Sequence, residues 1–160
     1  GHTLNNLVLI GMPGAGKSTV GVVIAKKLGY HFMDSDLVIQ ERTGKMLHEI
    51  IEEKGTDGFL QVEGEINASL CCDRTVIATG GSVVYSVKAM EHLKEIGSVV
   101  YLQLSYEAVA ERLGDLQERG VALKEGQTLR DLYEKYADIT LNCEGKMIRE
   151  VVAELAEKFV

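Results

Sequence analysis

The stretch Gly11-Met12-Pro13-Gly14-Ala15-Gly16-Lys17-Ser18 satisfies the pattern G-x-x-x-x-G-K-S/T, and it lies between an apolar run, Leu7 to Ile10, and an amphipathic one. Glycines in such a loop let several backbone N–H groups converge on phosphate oxygens, and the N-terminus of the following helix adds a favourable dipole. Lys17 then reaches the β and γ phosphates of a nucleotide, and the Ser18 hydroxyl can ligate Mg²⁺. Gly14, Ala15, Gly16, Lys17, Ser18 and Thr19 are the expected phosphate-contacting residues.

A held phosphate needs somewhere to go. The segment His31-Phe32-Met33-Asp34-Ser35-Asp36 ends a short apolar stretch with two carboxylates two residues apart, at the strand edge where open α/β sheets bind ligands. Asp34 is expected to face the loop and its metal, and Asp36 to reach an acceptor hydroxyl. The other reading makes Asp36 the cap of a helix starting at Leu37. After Thr75 to Ala78 come Thr79-Gly80-Gly81-Ser82, and glycines there allow a substrate to approach the backbone. Arg112 and Arg119 lie seven apart. Phosphoryl transfer spreads negative charge over the moving group. Arg119 is the candidate to stabilise that charge, and Arg112 either flanks an adenine or is a solvated helix end.

These residues need a scaffold, and the hydrophobic pattern supplies one. Short apolar runs at Leu7 to Ile10, His31 to Met33, Thr75 to Ala78 and Val99 to Leu104, with a weaker one at Ile139 to Leu141, read as strands. Helical periods cover Lys17 to Leu28, Leu60 to Cys71, Ser86 to Ile96, Tyr106 to Leu113 and Lys146 to Phe159. The region from Asp36 to Lys54 reads as two shorter helices broken at Thr43-Gly44. Strand–helix alternation of this kind implies an α/β fold, a mostly parallel sheet covered on both faces. Residues 1–160 read as one domain, with glycine-punctuated residues 114–128 as a lid.

Composition narrows the partners. Seventeen Lys and Arg against 24 Asp and Glu leave a formal charge of −7, which disfavours a broad grip on nucleic acid or an anionic membrane. No apolar run approaches the roughly 18 residues of a membrane span. Gly1-His2 does not resemble a signal segment, and the working N-terminus is expected just before the first strand. Cys71, Cys72 and Cys143 match neither a zinc spacing nor a disulfide framework, so a reduced, cytoplasmic chain is expected. No N-K-x-D or D-x-x-G signature of a GTPase is present.

Taken together, G-M-P-G-A-G-K-S-T, F-M-D-S-D with I-Q-E-R-T-G-K after it, G-F-L-Q-V-E-G-E, T-G-G-S, the Arg112–Arg119 spacing and L-Y-E-K-Y-A-D-I resemble the shikimate kinase family nearly end to end. The resemblance implies a P-loop kinase fold, five parallel strands in the order 2-3-1-4-5 with a lid, and a substrate-binding region at 34–72. It implies ATP-dependent phosphorylation of a shikimate hydroxyl, and the chain is expected to be a monomer. Lys17 and Ser18 would serve ATP and Mg²⁺, Asp34 would support the metal through water, and Asp36 would be the base. Gly80 and Gly81 would line the shikimate pocket, Arg112 would stack beside adenine, and Arg119 would be the lid arginine.

Two departures fall on one task. Where the family has F-R-x-x-E, with an arginine that grips the shikimate carboxylate, this chain has Phe59-Leu60-Gln61-Val62-Glu63. Where the family has R-x-P-L-Y, this chain has Leu129-Arg130-Asp131-Leu132-Tyr133, with Arg130 one position out of register as the remaining substrate-binding candidate. The segment from Arg119 to Tyr133 is also about eight residues shorter than the resemblance leads one to expect, either a short lid or residues missing from the sequence. Removing one partner of a buried charged clamp costs about 2 to 5 kcal/mol, or roughly 30-fold to several thousand-fold in affinity. The alternatives are therefore a related kinase acting on a sugar acid or nucleoside monophosphate, or a catalytically silent ATP-binding module.

Overall fold

The computed structural model describes residues 5–12, 15–104 and 128–159. Five strands form one parallel sheet: β1 (Asn6–Ile10), β2 (His31–Asp34), β3 (Thr75–Ala78), β4 (Gly97–Gln103) and β5 (Ile139–Asn142). Their order is β2-β3-β1-β4-β5, as the resemblance implies. Helices α1 (Lys17–Leu28), α2 (Ser35–Thr43), α3 (Leu47–Ala68), α4 (Val87–Ile96), α5 (128–136) and α6 (Ile148–Phe159) accompany them.

β1 is buried along its whole length, because a central parallel strand is covered on both faces and must be apolar on both. Alternation divides its residues between two cores. Val8 and Ile10 join Ile77, Val99 and Tyr101 beneath Met90 and Leu93 of α4 and Leu129 and Tyr133 of α5. Leu7 and Leu9 join Val76, Val100 and Leu102 beneath Ile24 of α1 and Val152 and Leu155 of α6. A third cluster, Ile39, Ile50 and Phe59, holds α2 to α3, and Leu60 packs against it.

Asn6 pins the base of the sheet. Its amide donates to the carbonyls of Cys72 (2.7 Å) and Ile96 (3.0 Å), and its side-chain oxygen accepts from the Thr75 N–H (3.1 Å). Buried in this way, one side chain joins the approaches to β1, β3 and β4.

The break at Thr43-Gly44 is present, with Gly44 at φ 70° closing α2. Helix α3 differs from its sequence-based bounds. The second of the two shorter helices read up to Lys54 and the helix read from Leu60 join as one element from Leu47, and the break between them is a kink at Gly55 (φ 75°, ψ 176°). The left-handed φ that glycine tolerates lets the chain turn there without a loop. The predicted helix Tyr106 to Leu113 lies outside the described residues, as does the lid read at 114–128 except for its last residue, Thr128, which begins α5.

Candidate active site

The site occupies the carboxyl edge of the sheet, where β1, β2 and β3 each release their chain. After β1, Gly16 adopts φ 86° and α1 begins at Lys17 with no side-chain cap and no acidic residue in its first turn. That leaves N–H groups and a positive dipole end facing the cleft, which suits a phosphate. The Lys17 ammonium folds back to donate to the carbonyls of Gly11 (2.6 Å) and Met12 (3.0 Å). Burial lowers its pKa to about 8, against the opposing pull of Asp36 and Asp34.

After β2, the helix starts two residues earlier than Leu37, and the cap is Asp34, whose Oδ1 accepts from the Asp36 N–H at 2.9 Å. Asp34 remains extended (φ −102°, ψ 114°), as a cap residue does. This replaces the reading in which Asp36 is the cap and leaves the Asp36 carboxylate for other work. The second oxygen of Asp34 accepts from the Ser18 hydroxyl at 3.3 Å. A hydroxyl and a carboxylate paired beside an uncapped helix N-terminus are hard oxygen donors suited to Mg²⁺ carried in with nucleotide phosphates.

After β3, the Thr79 hydroxyl donates to the Leu9 carbonyl (2.8 Å) and ties this exit to β1. The glycines follow. A β-carbon on Gly80 would lie 2.7 Å from Glu63 Oε2 and 2.9 Å from Asp36 Oδ1, so any side chain there would displace one carboxylate or the other. Burial raises the Asp36 pKa above the ordinary carboxylate value; Asp34 adds to the rise and Lys17 opposes it.

Gly16, Lys17, Ser18, Thr19, Asp34, Asp36, Thr79, Gly80 and Gly81 line one cleft of about 300 Å³. Ala15 lies in the loop beside it, its N–H donating to Met12. Arg130 is elsewhere: it lies half-exposed on α5 with Nε on Glu134 Oε1 at 3.0 Å. Gly14, Arg112 and Arg119 lie outside the described residues.

Three supporting residues had no sequence-based role. Glu63 of α3 is buried and accepts from the Ser82 hydroxyl at 2.6 Å. Tyr133, fully buried against Tyr101, donates to the Gly81 carbonyl at 2.6 Å. Glu63 stands within the quoted F-L-Q-V-E and Ser82 within T-G-G-S, so the motifs held them, but no spacing rule joins residues nineteen apart.

Comparison with known proteins agrees with this geometry. A family model described as shikimate kinase matches residues 13–160. The chain is 35% identical over 159 residues to a shikimate kinase of Persephonella marina, covering 95% of this chain and 97% of that protein. It is 38% identical over 160 residues to a shikimate kinase of Geobacter sulfurreducens, covering 94% and 88%. Among solved structures, the shikimate kinase from Acinetobacter baumannii in complex with shikimate matches with a TM-score of 0.86 at 31% identity, over 98% of this chain and 93% of that one. With its sheet order, phosphate loop and nearly full-length similarity in agreement, the chain belongs to the shikimate kinase family.

Proposed function

We propose that the protein phosphorylates a hydroxyl of shikimate with ATP and Mg²⁺, giving shikimate 3-phosphate and ADP. The observation that carries this reading is the single cleft in which Lys17 and Ser18 of the phosphate loop face Asp36 and the Gly80-Gly81 wall. In this reading residues 1–160 act as one catalytic unit, residues 34–72 build the acceptor side, and the unit works as a monomer in the cytoplasm.

Bound Mg²⁺ supplies charge neutralisation at the phosphates. The chain does the rest. The α1 N-terminus and the loop N–H groups orient the nucleotide, and the Lys17 ammonium exchanges its backbone carbonyl partners for phosphate oxygens. Ser18 and Asp34 present the oxygen donors of the metal side. Asp36, whose raised pKa makes it a stronger base than an ordinary carboxylate, accepts the acceptor hydroxyl proton. As that proton leaves, the new bond from oxygen to the γ phosphorus forms, the β–γ bridging bond breaks, and ADP departs with the electron pair.

Measuring ADP release with Mg-ATP against shikimate, gluconate and nucleoside monophosphates tests this. Shikimate-dependent release is expected, and its absence at millimolar shikimate overturns the reading. A sugar acid as acceptor is the second reading, and the observation favouring it is Leu60, packed into the α2–α3 apolar cluster where the family pattern places a carboxylate-binding arginine. Gluconate-dependent release without a response to shikimate would select it.

A further inference from the structure

We propose that Glu63 is a specificity-determining residue of the acceptor pocket, and that a carboxylate-bearing acceptor binds only while the Glu63 carboxyl group is uncharged. The inference rests on the shikimate reading and adds to it a control by protonation that this chain's own residues create.

The geometry is specific. Glu63 is 2% exposed, on the face of α3 turned toward the loop after β3. Its Oε1 accepts from Ser82, and its Oε2 and Asp36 Oδ1 both border the space that a β-carbon on Gly80 would fill. Among the described residues it makes no ion pair. One turn earlier on the same helix stands Leu60, committed to the apolar cluster of Ile39, Ile50 and Phe59, so position 60 of α3 offers no cation to a carboxylate.

Among the described residues, the groups around Glu63 do not change that balance. From α2 comes the Asp36 carboxylate, of like sign, while Arg42 of the same helix reaches Ser69 beyond the far end of α3. The loop after β3 brings the neutral Ser82 hydroxyl. From α5 comes Tyr133, a phenol that stays neutral because burial raises its pKa, with its hydroxyl turned to Gly81. Helix α4 directs His92 to the Leu70 carbonyl. Lys17 of α1 is held on the phosphate loop, and within α3 the Asn67 amide donates to the Glu63 backbone carbonyl.

Burial and the Asp36 charge together raise the Glu63 pKa to about 7, with the Ser82 hydrogen bond opposing. An ionised Glu63 beside ionised Asp36 and an acceptor carboxylate would gather like charges around a group that is shielded from water. A protonated Glu63 removes one of them. If only the protonated form binds, apparent affinity falls with the protonated fraction, and the shikimate KM should rise about tenfold between pH 6 and pH 8.

Steady-state KM values for shikimate and ATP across pH 6 to 8.5 test this. The wild-type shikimate KM should rise through pH 7 while the ATP KM changes by no more than about twofold over pH 6 to 8. Glu63→Gln, which keeps the shape and can still bond to Ser82, should hold the shikimate KM flat. Ser82→Ala removes a bond that favours the ionised form, so its rise should move to higher pH. Leu60→Arg places a cation one turn away and should lower the shikimate KM and flatten its profile. A flat wild-type profile, or a rise that persists in Glu63→Gln, overturns the inference and leaves the shikimate reading intact. Absence of shikimate-dependent turnover at every pH in all four proteins overturns both.

Discussion

At the residue scale, the site is a problem of charge in a small space. Asp36 and Asp34 act on Lys17, Asp34 and Lys17 act on Asp36, and Asp36 acts on Glu63, while burial is the first cause of the shift at Lys17, Asp36 and Glu63. For Lys17 the sign is unfavourable to its charge: the ammonium is retained below pH 8 and lost above it when no phosphate is present. Phosphate binding favours the charged form, so ATP affinity should fall about tenfold between pH 7 and pH 9 in calorimetric titration. Lys17→Arg, which does not titrate in that range, should give a flat profile whatever its absolute affinity. At Asp36, freed from capping by Asp34, substitution by Asn should lower kcat by about 10² to 10⁴, the usual worth of a positioned base. ATP affinity should change by less than about threefold, a split that separates a base from a structural carboxylate.

At the element scale, the exit of β3 is fastened to three other elements by side-chain hydrogen bonds. Thr79 fastens the end of β3 to β1, Tyr133 of α5 fastens Gly81, and Ser82 fastens the same loop to α3. The opposite edge depends on Asn6, which satisfies two carbonyls and one N–H in a buried position. Asn6→Ala strands those groups, and each buried unsatisfied group costs about 1 to 3 kcal/mol. A loss of about 3 kcal/mol in denaturant unfolding is therefore expected. Because Asn6 is at the end of the sheet away from the cleft, the KM values of the remaining folded enzyme should stay within about twofold.

For the molecule as a whole, the cleft draws on three separated stretches of chain, and it exists only when the sheet brings β1, β2 and β3 side by side. Nucleotide binding therefore stabilises the fold by linkage. At ATP concentrations of 100 times Kd the gain is about 2.7 kcal/mol, which in a chain of this length corresponds to roughly 5 to 10 °C in Tm. Differential scanning calorimetry with and without Mg-ATP should show it, and Lys17→Ala should remove most of it.

How much of this was legible in the sequence depends on the range of the interaction involved. β1 and β3 could be read because a buried parallel strand must be apolar on both faces, and α1 because the phosphate loop must be followed by a helix N-terminus. Asp34 and Asp36 were recognised as a pair, but which one caps α2 depended on backbone dihedrals at a single residue, and the spacing supports either choice. The continuity of α3 was missed: Gly55 and Gly58 interrupt the helical period, so the pattern ends one helix at Lys54 and begins the next at Leu60. In the structure only Gly55 leaves helical dihedrals, and the two segments join across a kink.

The sequence by itself determined the phosphate loop and the alternation of strand and helix, since both depend on residue type at short spacing, and its resemblance to the family exposed leucine at position 60 in place of an arginine. Only the tertiary structure decided that Glu63, Ser82, Gly80 and Asp36 meet. Their burial and mutual charge are properties of chain segments far apart in sequence, joined by the sheet order and by α3 folding back across it. A carboxyl group's environment is set by what surrounds it in space, and no local pattern of residues encodes that.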